Sequence, residues 1–353
     1  MSQTIKKEII EDLKAIVLEV GVPINDLEGK EIVISGACGF LGSWFVALFQ
    51  HLNTSVFKDP CKVYAIDSFI AADKLNSICK ITDPNIQFMK QDISTFKLEG
   101  VVDYIIHAAG IASPIYYRRY PIETIDGMVL GLRNFLNFAI KNAPLKSILN
   151  FSSSEIYGNP VPDMVPTPEA YYGNVSPNGP RSCYDESKRM GEAMCASWHR
   201  IYNIPVKSVR PFNVYGPGMR LNDDRVVPKF TVQILRDEAI TVHKPGVQTR
   251  TFCYITDAMA GFVKVLLNGR DGEVYNIGCS KPELSMCDLA EIMVGLFKKG
   301  KIEEIEMPTE YPQDQAQRRC PNILKAQTEL NFQPKVPLAI GLKKTYDWFE
   351  GIL

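Results

Sequence analysis

The chain has 353 residues, of which 46% are hydrophobic and 22% are charged, and its formal net charge is −1. Its length suits two lobes or one large α/β domain. The balanced charge gives no indication of a nucleic-acid partner or an anionic membrane surface. Nine irregularly spaced cysteines without a Cys-x-x-Cys pair, and four scattered histidines, argue against a zinc site. We therefore expect no metal, and reduced thiols in a cytoplasmic protein.

Residues 1–29 are predicted to form an N-terminal extension built on an amphipathic helix. Its apolar residues recur at helical spacing: Ile5, Ile9, Leu13, Ile16, Val17 and Val20. Acidic residues interrupt the segment, so it resembles neither a signal peptide nor a membrane span. We expect the helix to pack on the body of the protein. Docking of a partner or of a second subunit is the alternative.

From Glu31 onward, strand-like and helix-like segments alternate. Four apolar segments read as strands: EIVISGA, KVYAID, IQFMKQD and VDYIIHAA. A helical stretch from about Ile122 to Lys141 leads to a fifth strand, SILNFSSS. This alternation predicts an α/β fold with a Rossmann-type, doubly wound parallel sheet.

The rhythm changes in the second half of the chain. Gly158 to Arg181 is rich in proline and glycine and is predicted to be a loop. A helix over residues 183–202 and the strand VKSVRPFNVYG follow. After Gly216, shorter strands (AITVHK, VYNIG) mix with helices, which predicts a smaller C-terminal α/β lobe. No flexible linker precedes it, so we do not expect a separate linked domain.

The segment SGACGFLG places Gly36, Gly39 and Gly42 between the first strand and the first helix. Glycines let the backbone turn tightly and approach a pyrophosphate, and the helix N-terminus, with Phe40 and Leu41, offers free N–H groups. Alone the motif is weak, but its strand–turn–helix context favours a dinucleotide site over a merely tight turn.

Asp67 ends the second strand, where a carboxylate can accept both ribose hydroxyls of an adenosine. It would repel a 2′-phosphate, and no arginine follows it directly, so NAD is favoured over NADP. The other predicted cofactor contacts follow the third and fourth strands: Asp92, Ile93, Ala108 and Ala109. His107, before these alanines, is expected to be a buried structural histidine.

The segment YDESK puts Tyr184 and Lys188 on one face of a helix. A phenol has a pKa of about 10, and a neighbouring ammonium favours the phenolate. A pKa lower by ~3 units corresponds to roughly 4 kcal/mol. The tyrosinate could then take a proton from a sugar hydroxyl while hydride leaves the same carbon. A serine among residues 152–154 could hold that hydroxyl. The same spacing also occurs by chance on exposed helix faces. The glycine motif, Asp67 and the serine strand favour the catalytic interpretation over that alternative.

Together these motifs resemble the extended short-chain dehydrogenase/reductases of the nucleotide-sugar epimerase/dehydratase family. The resemblance covers about Glu31 to the C-terminus, and it includes SSSEIYG, CYDESK, RPFNVYGPG, QTRTFCYITD and DQAQRRCPN. It implies that Ser153, Tyr184 and Lys188 are catalytic, with Tyr184 and Lys188 also contacting NAD. It further implies that residues 30–215 bind NAD and that residues 216–353 mainly bind the nucleotide-sugar. The family is commonly dimeric through the long helices flanking the serine strand, so we expect a homodimer.

Within that family, SSSEIYG most resembles the UDP-glucuronate decarboxylases. A 4,6-dehydratase usually carries an Asp-Glu pair where this chain has Ser154 and Glu155. By this resemblance Glu155 assists proton handling at the sugar ring, and Arg319 holds the substrate carboxylate, for which an arginine fork is suited. The resemblance also assigns Arg250 to the nucleotide phosphates and Asn213 to the nucleotide-sugar.

The same resemblance implies that Arg225 lines the nucleotide pocket. The plain alternatives are a solvated Glu155 and surface positions for Arg250 and Arg319, because charged side chains are mostly exposed. For Asn213 the alternative is a bond to nearby backbone.

Departures from the family pattern leave other reactions open. Met128 stands where the family usually has asparagine, and Leu132 where it has threonine. His243 and Lys244 alter a loop of the predicted nucleotide pocket. A 4-epimerase, a 4-dehydrogenase or a 4,6-dehydratase acting on another nucleotide-sugar is therefore the alternative. A non-catalytic NAD-binding protein is a third hypothesis, against which the intact Tyr184 and Lys188 argue.

Overall fold

A computed structural model describes residues 3–70, 78, 80–142, 145–307 and 316–353. Two parts of the sequence-based predictions lie outside the described residues: Met1 and Ser2 of the N-terminal extension, and Asp314 and Gln315 of DQAQRRCPN. Within the described ranges, no helix combines the length and apolar character that crossing a membrane requires.

The helices, in chain order, are α1 Gln3–Val20, α2 Phe40–Ser55, α3 Pro114–Arg119, α4 Pro121–Ile125, α5 Gly131–Lys141, α6 Ser182–Tyr202, α7 Val226–Leu235, α8 Ile255–Asn268, α9 Met286–Phe297, α10 Leu324–Leu330 and α11 Leu338–Glu350. The strands are β1 Glu31–Ser35, β2 Lys62–Asp67, β3 Ile86–Lys90, β4 Tyr104–His107, β5 Ser147–Phe151, β6 Val206–Pro211, β7 Val214–Tyr215, β8 Ile240–His243, β9 Thr249–Arg250, β10 Cys253–Tyr254, β11 Val274–Ile277, β12 Leu284–Ser285, β13 Ile302–Ile305 and β14 Arg318–Arg319. A π-helical turn, Asp126–Leu130, joins α4 to α5.

The central sheet has seven strands in the order β11-β6-β5-β4-β1-β2-β3, and every pair is parallel. Two large hydrophobic clusters contain its buried residues. The strand order reverses at β1, so the carboxyl ends of β1 and β4 flank the crevice where doubly wound sheets bind ligands. The predicted Rossmann-type parallel sheet is confirmed.

One strand lies elsewhere than the sequence indicated. The segment VYNIG was grouped with the C-terminal lobe, but β11 pairs with β6 in the central sheet, from Val274 opposite Ser208 to Ile277 opposite Pro211. That prediction was wrong because a short apolar strand does not reveal its partner. The almost wholly buried α8 provides the crossover that returns the chain to this sheet.

The smaller sheets of the C-terminal segment carry two of the predicted site residues. In a three-stranded sheet, β9 lies between β12 and β14. Its register places Arg250 directly opposite Arg319. A two-stranded parallel sheet of β8 and β13 accompanies it.

Helix α1 packs against α8, α2 and α11. Four of its predicted apolar residues are buried: Ile9, Leu13, Ile16 and Val20. On the same helix, the Asp12 carboxylate accepts a hydrogen bond from the Tyr254 hydroxyl (2.6 Å) and forms an ion pair with Lys344. Hydrophobic burial and a buried polar contact therefore both attach this helix to the body.

Candidate active site

The glycine turn lies against the end of β4. Gly36 has a φ of 71°, and a Cβ there would be only 2.7 Å from the carbonyl oxygen of Ala108 and the nitrogen of Ala109. At Gly42 a Cβ would be 2.0 Å from the Gly36 oxygen. Only glycine fits at these positions, and α2 begins directly after Gly39, so the turn and the helix N-terminus form a cradle suited to a pyrophosphate.

Asp67 lies beside this turn at the end of β2. One carboxylate oxygen accepts the backbone N–H of Cys38 (2.9 Å) and the other accepts that of Phe69 (2.9 Å). These bonds fix the carboxylate next to the cradle, and each oxygen has a second lone pair for a ribose hydroxyl. Phe40 and Leu41 are half-buried at the start of α2. These residues fit NAD.

Asp92 and Ile93 follow β3. The exposed Asp92 carboxylate accepts hydrogen bonds from the backbone and hydroxyl of Ser94 (2.9 and 2.8 Å). The Ile93 side chain is buried against Gly131. Both residues therefore have local partners, and their contact with the cofactor stays a prediction.

Ser153, Tyr184 and Lys188 meet between the end of β5 and the first turns of α6. The Ser153 hydroxyl is hydrogen-bonded to Tyr184 and accepts the Glu155 N–H at 3.2 Å. Lys188 donates from Nζ to the Phe151 carbonyl (2.6 Å), and its ammonium lies 5.7 Å from the centre of the Tyr184 ring. The structure thus brings the three predicted catalytic side chains together.

In the protein without bound NAD, the pKa of Tyr184 shows no net lowering. Burial raises that pKa to about 12, although the Ser153 hydrogen bond acts in the opposite direction. Burial also lowers the pKa of the Lys188 ammonium to about 8. The expected net lowering by Lys188 is therefore not found, because desolvation outweighs the stabilisation of a phenolate.

Glu155 is held between two arginines and is not solvated. Its Oε2 accepts hydrogen bonds from Arg319 Nη2 (2.6 Å) and from Arg181 Nη2. Burial opposes its ionised form, but the guanidinium groups of Arg319, Arg181 and Arg250 together hold the pKa of Glu155 below its usual value. The carboxylate is therefore ionised in the unliganded protein.

Arg181 and Asp185 are site residues that the sequence analysis missed. Arg181 precedes the first residue of α6, and its Nε lies 3.3 Å from Asp185 Oδ2, one turn further along. The available signal was PRSCYDESK, which places an arginine three residues before the catalytic tyrosine. Both side chains are almost fully buried, as is typical of charged residues that have partners.

Arg250 and Asn213 are close in space, beside the three-stranded sheet that contains β9. Arg250 is buried, and its Nη1 donates to the Thr249 carbonyl at 2.8 Å. Asn213 has a φ of 40° and donates to the Thr251 carbonyl at 2.8 Å. The plain alternative, in which Asn213 bonds to nearby backbone, therefore describes one of its contacts, and substrate contact stays a prediction.

Arg225 lies at the N-terminus of α7, where its Nε donates to Asp223 (2.9 Å). Its guanidinium carbon is 5.9 Å from the centre of the Phe40 ring, and its charge acts on Tyr184. The structure thus brings Arg225 between the cofactor cradle and the catalytic tyrosine.

A buried hydrogen-bond network anchors the end of the serine strand, β5. Ser152 donates to Glu192, which binds Arg210 through Nε at 2.8 Å and Nη2 at 2.6 Å. Arg210 also donates to the Tyr157 hydroxyl, which donates to Asn276 on β11 at 2.8 Å. The position of Ser153 is therefore coupled to the last strand of the central sheet.

The departures from the family pattern occupy two different environments. Met128 is buried in the π-helical turn and packs with Tyr117 and Tyr184, while Leu132 is buried in α5. Lys244 is partly exposed and pairs with Glu306 (2.8 Å) next to His243. Met128 therefore shares a hydrophobic cluster with the catalytic tyrosine.

Residues 32–278 match the model of the family described as the NAD dependent epimerase/dehydratase family. The chain belongs to this family. A UDP-glucuronic acid decarboxylase from Arabidopsis thaliana is 40% identical over 311 residues, which are 88% of this chain and 86% of the relative. The predicted family is confirmed.

Two solved structures of the family are similar over most of the chain. The dTDP-glucose 4,6-dehydratase of Streptomyces venezuelae, with NAD bound, is 25% identical at a TM-score of 0.78 and covers 91% of this chain and 97% of its own. The UDP-glucuronic acid 4-epimerase of Bacillus cereus, solved with UDP-glucuronic acid and NAD, is 25% identical at a TM-score of 0.72 and covers 92% of this chain and 100% of its own. The predicted cofactor, NAD, is that of the family.

Proposed function

We propose that this protein is an NAD-dependent decarboxylase of a UDP-glucuronate-like nucleotide-sugar. The observation that carries the proposal is the Glu155 carboxylate held by Arg319 and Arg181 beside Ser153 and Tyr184. A dehydratase needs an acid for the departing C6 hydroxyl, and Ser154 stands where that acid usually lies. The similarity to UDP-glucuronic acid decarboxylases over most of the chain supports the same reaction.

The residues around the sugar would act as follows. Bound NAD supplies the acceptor for the hydride that leaves C4 and later returns it. Ser153 positions the C4 hydroxyl, and Tyr184 takes its proton, with Lys188 nearby to stabilise the phenolate. The product of this step is a β-keto acid, which loses carbon dioxide because an enolate takes up the electron pair. Glu155 then assists the return of a proton to C5.

The substrate carboxylate would bind to Arg319, whose planar fork suits it. Arg250 would bind the nucleotide phosphates, Asn213 the nucleotide-sugar, and Arg225 the nucleotide pocket. Arg250 is buried and the side chain of Arg319 is only 11% exposed, which supports their assignment to binding over a surface position. In this proposal residues 30–215 mainly bind NAD, together with the returning strand β11, and the other elements of residues 216–353 mainly bind the nucleotide-sugar.

The protein is further proposed to be a cytoplasmic homodimer. The cysteines that the structure describes form no disulfide, which suits a reducing compartment.

Exposed apolar side chains lie on the helices before and after β5: Ile122, Ile125, Leu130, Ile140, Met190 and Ile201. Sedimentation should give a dimer, and Leu130→Glu should weaken it while Leu324→Glu, on α10, should not. A monomeric wild type would refute this part.

The reaction is tested by incubating the purified protein with NAD and a panel of UDP-, dTDP-, GDP- and CDP-sugars that includes uronic acids. Mass spectrometry should record loss of carbon dioxide from UDP-glucuronate. Loss of water would indicate a dehydratase, and an unchanged mass with altered stereochemistry would indicate an epimerase. The epimerase is the second candidate because Met128, which replaces the usual asparagine, packs on Tyr184. If another sugar reacts and no uronic acid does, the decarboxylase proposal is wrong.

A further inference from the structure

Four charged side chains form a continuous series at the substrate end of the site. Asp185 contacts Arg181 (3.3 Å), Arg181 contacts Glu155, and Glu155 contacts Arg319 (2.6 Å). The signs alternate, so two carboxylates and two guanidinium groups compensate each other. Arg181 caps the N-terminus of α6 and Asp185 lies one turn into that helix, whereas Glu155 follows β5 and Arg319 lies on β14.

The series is incomplete at two atoms. Among the described residues, Asp185 Oδ1 and Arg319 Nε are buried and have no hydrogen-bond partner. Buried polar atoms are normally paired, so each exception calls for an explanation, and a functional role of the site is one. A guanidinium with an unpaired Nε–H can still donate a hydrogen bond to a carboxylate on that side of its fork.

Glu155 binds both arginines through the same oxygen, Oε2. A substrate carboxylate that binds to Arg319 therefore competes with Glu155 for this arginine. When Arg319 turns to the substrate, Arg181 keeps its hydrogen bond to Glu155, and the charge of Arg250 still acts on that carboxylate. The hydrogen bond from Arg181 then helps to fix where the Glu155 carboxylate lies, and the Asp185 carboxylate fixes Arg181 at Nε.

We propose that Asp185 is a positioning residue of the reaction. It holds Arg181, and through Arg181 it keeps Glu155 in place when the carboxylate of a uronic acid substrate takes over Arg319. The inference rests on the proposed function, and it adds a residue that touches neither the reacting carbon nor NAD. It also explains why a second buried carboxylate lies next to the catalytic tyrosine, where its charge opposes formation of the tyrosinate.

Asp185→Asn tests this role, because it removes the charge and keeps the size. The matched control is Glu186→Gln on the same helix, whose carboxylate is partly exposed and pairs with Arg189. Thermal unfolding and NAD content are measured first, followed by kcat and KM for carbon dioxide release from UDP-glucuronate between pH 5 and 9. We expect kcat to fall about tenfold or more in Asp185→Asn, as for loss of a charge-assisted hydrogen bond. KM should change by less than about threefold, because Arg319 still binds the substrate.

The pH profile separates positioning from a merely structural role. Burial and the neighbouring Glu155 charge raise the pKa of Asp185 to about 7, so a role that needs the Asp185 charge should give the wild-type kcat profile a limb near pH 7 that is lost in Asp185→Asn. Glu186→Gln should keep the wild-type kcat and limb. An Asp185→Asn protein with wild-type kcat and an unchanged profile overturns the inference. If the asparagine variant does not fold, Asp185→Ser takes its place in the same measurements.

A structure of the wild-type protein with NAD and UDP-glucuronate provides a test that needs no variant. Arg319 should lie on the substrate carboxylate, while the contacts Asp185–Arg181 and Arg181–Glu155 are kept. Release of Glu155 by Arg181 in that complex overturns the inference. Failure of the proposed function looks different, since the wild type would then release no carbon dioxide, and the inference would fall with it.

Discussion

Two of the clusters in which this chain holds a carboxylate against cationic partners differ in one informative respect. On α1, Asp12 binds the Tyr254 hydroxyl (2.6 Å) and the Lys344 ammonium. After β5, Glu155 binds two guanidinium groups, those of Arg181 and Arg319. Both carboxylates are largely removed from water, which is costly unless they are paired.

The α1 cluster is complete, whereas the site cluster is not. Every buried side-chain polar atom of Asp12 and Tyr254 has a partner, but Asp185 and Arg319 each keep one buried atom unpaired among the described residues. A fully satisfied network stabilises the fold, whereas a partly satisfied one has a cost that a ligand can remove. We infer that the first cluster supports stability and that the second prepares the protein for substrate.

The numbers of cationic partners also differ. Burial raises the pKa of Asp12, and the Lys344 and Tyr254 contacts only partly oppose it. At Glu155 burial acts in the same direction, but Arg319, Arg181 and Arg250 outweigh it and lower the pKa. A site with an excess of positive charge suits an anionic substrate, as a nucleotide-sugar is.

Glu155→Gln is the variant with the largest expected effect. The amide keeps the shape but removes the carboxylate that assists the return of a proton to C5, so kcat for complete turnover should fall about a hundredfold or more. Glu303→Gln, an exposed residue on β13, is the matched control. The measurement is the single-turnover rate at which the decarboxylated and re-reduced nucleotide-sugar forms at saturating UDP-glucuronate. A Glu155→Gln protein that forms this product at the wild-type rate would remove Glu155 from the mechanism and make the two clusters alike.

Asp12→Ala should have the opposite profile, with reduced stability and retained activity. It leaves the Tyr254 hydroxyl and the Lys344 ammonium without their acceptor, which should lower the free energy of unfolding by about 2–3 kcal/mol. Urea denaturation measures this, and Glu11→Ala, exposed on the same helix, is the control. At a temperature where both variants are folded, kcat should equal that of the wild type. Lost activity without lost stability would contradict the structural role of α1.

The parts of the fold that obey local rules could be predicted from the sequence. The strand–glycine–helix order around Gly36 and the spacing of Tyr184 and Lys188 are both local, and both have the expected geometry. Strand β11 obeys no such rule, because its pairing with β6 joins residues far apart in the chain. Its short apolar sequence is compatible with either sheet.

The site was predictable only in part for the same reason. Glu155 and Arg319 are 164 residues apart, and their contact was approached only through family resemblance. Arg181 and Asp185 were missed because charged residues beside a loop and on a helix are ordinarily solvated. Their burial depends on how the loop 158–181 and β14 meet over α6, which no local pattern expresses.

The smallest expected effect is a difference in the pH dependence of stability, and it compares the two carboxylates directly. The ordinary pKa of Asp12 is 3.8 and its folded pKa is higher, so between these values the folded protein binds more protons than the unfolded chain. Stability from this group therefore falls as pH rises through that window. Glu155 has an ordinary pKa of 4.5 and a lower folded pKa, so its contribution is complete above pH 4.5 and is lost as pH falls.

Asp12→Asn and Glu155→Gln should consequently change the slope in opposite directions. Without the Asp12 carboxyl, the free energy of unfolding should rise more steeply with pH just above pH 3.8, because a term of negative slope is gone. Without the Glu155 carboxyl, it should rise less steeply below pH 4.5, because a term of positive slope is gone. Urea denaturation at closely spaced pH values measures both slopes. Equal changes of the same sign in the two variants would mean that the arginines around Glu155 do not outweigh its burial, and the proposed preparation of the site for an anionic substrate would lose its electrostatic basis.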